Sequence, residues 1–180
     1  IARIKADFAP PIYDDLDDTD PALAADLAKN PNFARWVRSN VDTHKQPGYG
    51  IATISLKPPG GIPGDVTAEQ MEKIAAIADH FGFGEIRVTQ KQNLVLPSVR
   101  KRDLYAVWLE LDEIDLAAGN AGLLTDIVAC PGLDYCNLAN ARSIPIAQRL
   151  SERFHDLEEQ HDIGEITLNI SGCINACAQH

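Results

Sequence analysis

Polar and apolar residues near the start of the chain follow a pattern that predicts two short helices. Asp20 and Asn30 each stand directly before a proline. An Asp or Asn side chain can cap a helix that starts with proline, because proline lacks the N–H that would be unpaired there. We therefore expect helices over Ala22–Ala28 and Asn32–Ser39, and we predict a helical lead-in segment over residues 1–45.

Within residues 46–120, short runs alternate between apolar and polar positions as half-buried strands do. The first such run is Gly50–Leu56, and a loop rich in proline and glycine follows it. Two more runs, Glu85–Thr89 and Asn93–Leu96, are separated by a short polar turn. This spacing predicts three strands, the last two of them joined as a hairpin.

Two helices are predicted within the same stretch. Thr67 and Gln70 are three residues apart, as in a capping box, so one helix is expected to begin there. Asp103 is expected to cap the other. The buried face of the first helix is predicted to comprise Met71, Ile74, Ala75, Ile77 and Ala78. The order strand, helix, strand, strand, helix is that of a ferredoxin-like split βαβ unit, with helices on one face of an antiparallel sheet.

Residues 121–180 show a different order of elements. A helix is expected to start at Pro145. The residues predicted on its apolar face are Ala147, Leu150, Phe154 and Leu157. The alternating run Gly164–Ile170 predicts a strand that leads into Cys173. The predicted fold class is therefore α+β: a ferredoxin-like split βαβ domain of sheet and helices, followed by a truncated α/β cluster-binding segment.

The composition narrows the classes of function. The net charge is −10 over 180 residues, which argues against a nucleic-acid partner, because phosphate binding needs a clustered basic face. No apolar run reaches membrane-spanning length and no signal-peptide pattern opens the sequence, so we expect no membrane partner and a cytoplasmic location. Residue 1 is Ile and the only methionine is Met71, so we expect the interior of a longer protein.

Four cysteines stand in two pairs near the end of the chain. Cys130 and Cys136 have C-x5-C spacing, and Cys173 and Cys177 have C-x3-C spacing. In a reducing compartment such cysteines are more readily metal ligands than disulfides. Zinc sites usually use gaps of about two to four residues, so the wider first gap favours an iron–sulfur cluster. The spacing leaves a zinc site, and buried or disulfide-bonded cysteines, open as alternatives.

The two pairs are expected to differ in local structure. The first pair would lie on different faces of a helix, so residues 131–135 are predicted to form a loop that turns both sulfurs toward one centre. The second pair would share a face if a helix began over Ile174–Cys177. The N–H groups at such a helix start would point at the sulfurs and favour thiolates.

Three motifs resemble the nitrite and sulfite reductase hemoprotein family. Ala129–Cys136 resembles that family's C-x5-C segment, and Asn169–Cys177 resembles its strand followed by G-C-x-N-x-C. Arg87–Leu94 is similar to its R-x-T-x-x-Q-N strand–turn–strand. The motifs fall in the family's order, and the resemblance extends from about Gly48 to the end of the chain.

The resemblance implies a cofactor set and a role for each matched residue. All four cysteines would ligate one [4Fe–4S] cluster, and Cys177 would also bridge the cluster to the iron of a siroheme. Arg87, Gln92 and Asn93 would lie near the siroheme. Asn175 would donate a hydrogen bond to a sulfur or to the heme.

The reaction that the resemblance implies is a six-electron reduction, of sulfite to sulfide or of nitrite to ammonia, with ferredoxin or a flavoprotein as electron donor. The chain resembles the second half of the family's pseudo-duplicated protein. The missing first half would be its partner and would supply most of the basic residues that hold the anionic substrate. Ile174 and Ala176 stand where the family often has Pro and Gly, so we expect an altered fit near the heme and retained ligation.

The sequence therefore predicts part of an assimilatory siroheme sulfite reductase, with a siroheme nitrite reductase as the alternative within the family. A non-catalytic electron carrier or a zinc-stapled binding module is the alternative from a different class. No catalytic residue is assigned within the chain, which is expected to be inactive in isolation and to fold without its cofactors. Arg142 is expected to form a surface salt bridge rather than to neutralise cofactor charge.

Overall fold

The structure is a computed structural model that describes residues 11–179, so residues 1–10 of the predicted lead-in segment lie outside it. Its helices are α1 (Pro21–Lys29), α2 (Pro31–Asn40), α3 (Ala68–Phe81), α4 (Leu104–Asp112), α5 (Ile144–Arg153) and α6 (Leu157–Ile163). Its strands are β1 (Val41–Thr43), β2 (Tyr49–Ile54), β3 (Arg87–Val88), β4 (Leu94–Arg100), β5 (Val128–Ala129) and β6 (Asn169–Ile170). Within this range no helix combines the length and the apolar character that membrane crossing requires.

The two helices predicted near the start are confirmed, and each begins with the proline that follows its cap. The Asp20 carboxylate accepts hydrogen bonds from two backbone N–H groups in the first turn of α1, at 2.8 and 3.2 Å. Asn30 caps α2 in the same way. The helix α2 places Phe33 and Trp36 in the core with no exposed surface. The lead-in segment is therefore packed on the domain that follows it.

The lead-in segment also supplies a strand that the helical pattern does not predict. β1 pairs antiparallel with β2 and places Val41 opposite Ala52. The resulting four-stranded sheet has the order β1-β2-β4-β3, and all of its pairs are antiparallel. A strand of three residues is too short for an alternating pattern to stand out in the sequence.

β4 continues past its predicted end at Leu96, although the next residue is Pro97. Proline has no N–H to donate to a neighbouring strand. On one side, β3 pairs only with the first two residues of β4. On the other side, the pairing with β2 is irregular between Gly50 and Ala52, opposite the proline. The sheet therefore requires no hydrogen bond at this position.

Helices cover one face of the four-stranded sheet. In β2, Ala52 and Ile54 are fully buried, whereas Ile51 and Thr53 on the opposite face are partly exposed. The core residues that the helices contribute include Phe33, Trp36, Ile74, Ile77, Val107 and Leu111. This arrangement confirms the α+β class and the ferredoxin-like layout with helices on one face.

The helix α3 begins as predicted but buries a narrower face. Thr67 and Gln70 form the complete capping box, with each side chain bonded to the other residue's backbone N–H. Met71 is 44% exposed and Ala75 is also exposed, so the prediction that they are buried is wrong. The cause is that α3 meets the core along a single ridge. The buried residues of this ridge are Ile74, Ile77 and Ala78.

The predicted cap of α4 is also wrong. Asp103 makes no side-chain hydrogen bond to the start of α4. The chain is already wound into a 3₁₀ turn over Lys101–Asp103, so α4 continues a turn instead of starting from an extended residue. An N-cap side chain needs non-helical backbone angles, and Asp103 has φ −95° and ψ −9°.

The last segment forms a second unit, in which β5 and β6 pair in parallel. The single helix predicted from Pro145 is wrong, because α5 ends at Arg153 and Asp156 caps a separate helix, α6. Phe154 and Leu157 therefore do not share one helix face. The strand predicted over Gly164–Ile170 is confined to its last two residues, since β5 offers only two residues for pairing. Ile127, Ala129 and Ala147 form the small core of this unit.

Candidate functional site

The two cysteine pairs lie in loops that follow the two parallel strands. β5 ends at Ala129, directly before Cys130, and β6 ends at Ile170, three residues before Cys173. The Cys130 N–H donates to the Ile170 carbonyl at 3.1 Å. Paired parallel strands run in the same direction, so their ends leave the sheet at the same edge. The pairing of β5 with β6 therefore places the two loops side by side.

Two glycines let the loops approach backbone to backbone. A Cβ on Gly172 would lie 2.7 Å from the Ala141 carbonyl oxygen and 3.0 Å from the Gly132 Cα. Gly132 has φ +58°, and a Cβ there would lie 2.7 Å from the Ser143 nitrogen. The Gly172 carbonyl accepts the N–H groups of Asn140 and Ala141 at 2.8 and 3.0 Å. Any larger side chain at either glycine would separate the loops.

Cys130 is buried, and its sulfur lies among hydrogen-bond donors. The Gly172 N–H donates to Cys130 Sγ at 3.1 Å, and Ser143 Oγ lies 3.4 Å from the same sulfur. Burial raises the pKa of the Cys130 thiol, but its hydrogen bonds with Ser143 and with the backbone of Gly172 and Gly132 outweigh that effect, so the net pKa lies below the ordinary thiol value. The Ser143 hydroxyl also donates to the Cys130 carbonyl at 2.6 Å. Because a hydroxyl has only one proton, Ser143 cannot donate to the sulfur at the same time. The backbone N–H groups, which can only donate, are therefore the clearest support for a thiolate.

The other three cysteines are more open to solvent. Cys136 and Cys173 are partly exposed, and Cys177 is exposed. The helix predicted over Ile174–Cys177 is wrong, because this segment is a turn in which Ala176 has φ +50°. A residue in the left-handed region does not continue a right-handed helix. The Ala176 N–H bonds instead to the Cys173 carbonyl at 3.3 Å.

The chemistry of these loops fits an iron–sulfur cluster. They offer four thiols from adjacent loops, and one sulfur already receives a backbone N–H of the kind that stabilises thiolates. The predicted loop over residues 131–135 is present and contains a 3₁₀ turn. Among residues 11–179, no three His, Cys, Asp or Glu side chains lie close enough together to hold one metal ion. The structure thus brings the loops together without gathering three of the sulfurs around one point.

The hairpin turn between β3 and β4 contacts the first cysteine loop through Gln92. The Gln92 Nε2 donates to the Ala129 carbonyl at 2.8 Å, and the Gln92 Oε1 accepts from the Ala129 N–H at 3.1 Å. Gln92 itself has φ +55°. The side chain that the resemblance places near siroheme is therefore bonded, by both ends of its amide, to the backbone directly before Cys130.

Asn93 lies in a buried polar network that the sequence analysis missed. Lys57 and Asp126 form an ion pair whose side chains are 2% and 3% exposed. The Lys57 ammonium also donates to the Asn93 Oδ1 at 3.0 Å, and the Asn93 Nδ2 donates to the Asp126 Oδ1 at 3.0 Å. Burial lowers the pKa of Lys57, and the Asp126 carboxylate opposes that shift. The sequence did contain a signal for this network. Lys57 and Asp126 are charged residues close to buried strands, Lys57 three positions after β2 ends and Asp126 two positions before β5 begins.

The remaining candidate residues lie at the surface. The Arg87 Nε donates to the Glu85 carboxylate at 2.7 Å, and Arg87 lines a cavity of about 420 Å³ on the open face of the sheet, to which no cysteine contributes. Asn175 is exposed in the turn between the last two cysteines. The surface salt bridge predicted for Arg142 is confirmed, with Asp134 as its partner.

The fold and the motifs agree with what comparison with known proteins finds. The sequence model described as "Nitrite/Sulfite reductase ferredoxin-like half domain" matches residues 44–114, which include the strands β2, β3 and β4 and the helices α3 and α4. Residues 44–114 therefore carry the ferredoxin-like half domain of nitrite and sulfite reductases. Nitrite and sulfite reductases, after which this half domain is named, are oxidoreductases that typically use siroheme and a [4Fe–4S] cluster.

Relatives with both substrate names match the chain. A chloroplastic ferredoxin–nitrite reductase of Zea mays is 32% identical over 152 residues, which cover 81% of this chain and 25% of that protein. Sulfite reductase [ferredoxin] 2 of Mycolicibacterium paratuberculosis is 30% identical over 134 residues, which cover 72% of this chain and 23% of that protein. The structure of the Mycobacterium tuberculosis NirA protein superposes with a TM-score of 0.62 at 26% identity, covering 78% of this chain and 25% of that one. The chain therefore spans about a quarter of the length of these relatives.

Proposed function

We propose that this chain forms the cluster-binding side of a siroheme-dependent sulfite or nitrite reductase. One [4Fe–4S] cluster would be ligated by Cys130, Cys136, Cys173 and Cys177. The observation that carries the proposal is the parallel pairing of β5 with β6, which sets the two cysteine loops side by side with the Gly172 N–H on the Cys130 sulfur. When bound, the cluster and the siroheme would carry electrons from the electron donor to the anionic substrate.

The residues of the chain would hold and orient these cofactors. The N–H groups around Cys130 favour its thiolate form, as a cluster ligand requires. We propose that Cys177 and Asn175 would help to hold the siroheme, and the exposure of both residues supports contact with a second cofactor. Arg87 is exposed and its guanidinium suits a siroheme carboxylate. Gln92 and Asn93 would shape the same region through their bonds within the chain.

Sulfite is the proposed substrate, and nitrite is the second candidate. A protein named as a nitrite reductase matches at 32% identity and one named as a sulfite reductase at 30%, so the relatives support both anions about equally. Both names include ferredoxin, which we propose as the electron donor. The net charge of −10 supports the proposal that the basic residues that hold the anion come from the first half of the protein.

Anaerobic reconstitution of the chain with iron and sulfide tests the cluster. We expect about four iron and four sulfide atoms per chain. Cys130→Ser is expected to lose most of this uptake, whereas Asn137→Ala, at an exposed residue directly after Cys136, should retain it. Binding of zinc in stoichiometric amount without any uptake of sulfide would refute the cluster and favour a zinc module.

Steady-state kinetics of the full-length protein test the substrate. The value of kcat/KM for sulfite is expected to exceed that for nitrite when reduced ferredoxin supplies the electrons. The reverse order would select nitrite. A full-length protein that holds both cofactors and reduces neither anion would refute the proposed activity.

A further inference from the structure

The strand β5 is hydrogen-bonded on both edges, although it belongs to a sheet of two strands. On one edge, the Val128 N–H donates to the Leu168 carbonyl at 3.0 Å, and the Cys130 N–H donates to the Ile170 carbonyl at 3.1 Å. Successive residues of a strand direct their backbone groups to opposite edges. Both polar backbone groups of Ala129 therefore face away from β6. Ala129 is only 4% exposed, so solvent has little access to them.

The Gln92 side chain takes the place of a third strand on that second edge. A primary amide offers an N–H donor and a carbonyl acceptor, as a peptide group does. The Gln92 Nε2 meets the Ala129 carbonyl at 2.8 Å and the Gln92 Oε1 meets the Ala129 N–H at 3.1 Å. These are the two bonds that a neighbouring strand residue would make. Without them, a buried N–H and a buried carbonyl would be left unpaired.

The backbone around Gln92 is held by further contacts of the hairpin turn. The Asn93 N–H donates to the Thr89 Oγ1 at 3.1 Å, which closes the turn. A Cβ on Gly64 would lie 2.9 Å from the Gln92 Cβ, so the proline- and glycine-rich loop packs directly against this residue. The Gln179 side chain donates to the Gln90 carbonyl at 3.0 Å. The turn thus contacts the chain both before the first cysteine and after the last one.

We propose that Gln92 is a positioning residue for Cys130: its amide acts as a surrogate strand residue that fixes Ala129 and thereby the place of the Cys130 sulfur. The inference rests on the proposed function, because it takes Cys130 to be a cluster ligand. Cys130 is the one buried cysteine of the four, and its sulfur receives the Gly172 N–H. A displaced Ala129 changes that N–H···S contact, and hydrogen bonds to the sulfurs help to set the potential of a cluster.

Two substitutions separate this role from a general effect on folding. Gln92→Asn shortens the side chain by one methylene, so the amide no longer reaches Ala129, while asparagine tolerates the left-handed backbone at this position. Gln92→Glu keeps the length but places a carboxylate against the Ala129 carbonyl, where the wild-type protein has a donor. Gln90→Ala is the matched control, because Gln90 lies in the same turn, is exposed, and uses its backbone carbonyl in the bond to Gln179.

Two measurements on the chain read out the proposal. In the cofactor-free chain, residue-resolved amide hydrogen exchange by NMR should show the Ala129 N–H exchanging about tenfold or more faster in Gln92→Asn, because its acceptor is lost. In Gln92→Glu the exchange should also be faster, because repulsion between the carboxylate and the Ala129 carbonyl displaces the side chain that accepts this N–H. The Cys130 N–H, which bonds to β6, is the internal reference. In the anaerobically reconstituted chain, the reduced cluster should show a shifted midpoint potential and an altered EPR spectrum in both variants, with Gln90→Ala matching wild type.

The outcomes distinguish this inference from the proposed function. Faster exchange at Ala129 together with a shifted potential supports the positioning role. If the wild-type chain assembles a cluster and both Gln92 variants match its potential and EPR spectrum, the positioning role is overturned while the proposed function stands. If the wild-type chain takes up no iron and sulfide, the proposed function is overturned and the inference about a cluster ligand falls with it.

Discussion

Replacing Asp126 with Asn is expected to destabilise the chain strongly, although it exchanges only one oxygen for an amide nitrogen. The Lys57 ammonium donates to three oxygens, those of the Asp126 carboxylate, the Asn93 side chain and the Lys91 carbonyl. The Lys57 side chain is 2% exposed, so water cannot take over as its partner. Asp126→Asn removes the negative charge and leaves the ammonium buried among neutral groups.

The expected loss follows from the burial of both partners. Removing one member of a buried ion pair costs about 3–5 kcal/mol, against a total stability of about 5–15 kcal/mol for a typical domain. Lys57→Met alone should cost a similar amount, because it leaves the Asp126 carboxylate without its cation. The double variant removes both charges and should be more stable than the sum of the two single losses predicts, by about 2 kcal/mol.

The dependence on pH provides a second test of the same pair. Burial lowers the pKa of Lys57 in the folded chain, and Asp126 opposes that shift. Between the folded and the unfolded pKa the unfolded chain binds more protons, so stability rises with pH across that window. In Asp126→Asn the opposing effect is absent, so the rise should begin at a lower pH and be larger. The deficit relative to wild type should therefore shrink as the solution becomes alkaline.

Urea unfolding of the chain, followed by circular dichroism at neutral and alkaline pH, measures these differences. Lys73→Met is the control, because Lys73 is 31% exposed and pairs with Glu110 and Glu113 at 3.0 and 3.3 Å. Such a surface substitution should cost less than about 1 kcal/mol. A loss below about 1 kcal/mol for Asp126→Asn, or a deficit that grows with pH, would refute the reasoning that Lys57 is a desolvated ammonium.

Three further substitutions test the packing, the capping and the titration of other residues. Gly172→Ala should cost about 2 kcal/mol in urea unfolding and weaken iron uptake, because its Cβ would lie 2.7 Å from the Ala141 carbonyl oxygen. Gly82→Ala, whose Cβ would meet its nearest atom at 3.3 Å, is the control, and equal losses would contradict the packing argument. Thr67→Ala removes one half of the capping box of α3 and should lower the free energy of unfolding by about 1 kcal/mol, whereas Thr19→Ala at an exposed loop residue should leave it unchanged. Burial, together with the charges of Arg38 and Arg35, lowers the pKa of His161, so the unfolded chain binds this proton more readily and wild-type stability should fall as the pH drops below about 6.5. His161→Gln should flatten that decline, and superimposable pH profiles of stability would rule out this origin.

The elements of the half domain could be predicted where short-range chemistry determines them. The caps Asp20 and Asn30 with their prolines, and the pair Thr67 and Gln70, act within three residues, so each start is readable in sequence. The strand β1 could not be predicted, because three residues carry no period and only the pairing with β2 defines them. The continuation of β4 beyond Leu96 could not be predicted either. Pro97 is tolerated there because β3 pairs only with the first two residues of β4, and the local sequence does not show this.

The site shows the same division between local and long-range information. The cysteine spacings and the motif around Gln92 are visible in the sequence, and they lead to the family whose half-domain model matches residues 44–114. The contacts that hold the site together join residues far apart in the chain: 37 positions separate Gln92 from Ala129, and 69 separate Lys57 from Asp126. No local pattern encodes such partners, because they are set by how the half domain packs on the last segment.

The incorrect helix at Ile174–Cys177 changes how the thiolates are stabilised. The spacing of the second cysteine pair suggests that its own helix start would supply N–H groups to its own sulfurs. Instead, the Gly172 N–H, two residues after β6 ends, donates to the sulfur of Cys130 in the other loop. Each loop therefore depends on the other: the second supplies a donor to the first, and the first supplies the N–H groups that the Gly172 carbonyl accepts. A cluster held between these loops would be stabilised across their contact, so a change in either loop should affect ligands in both.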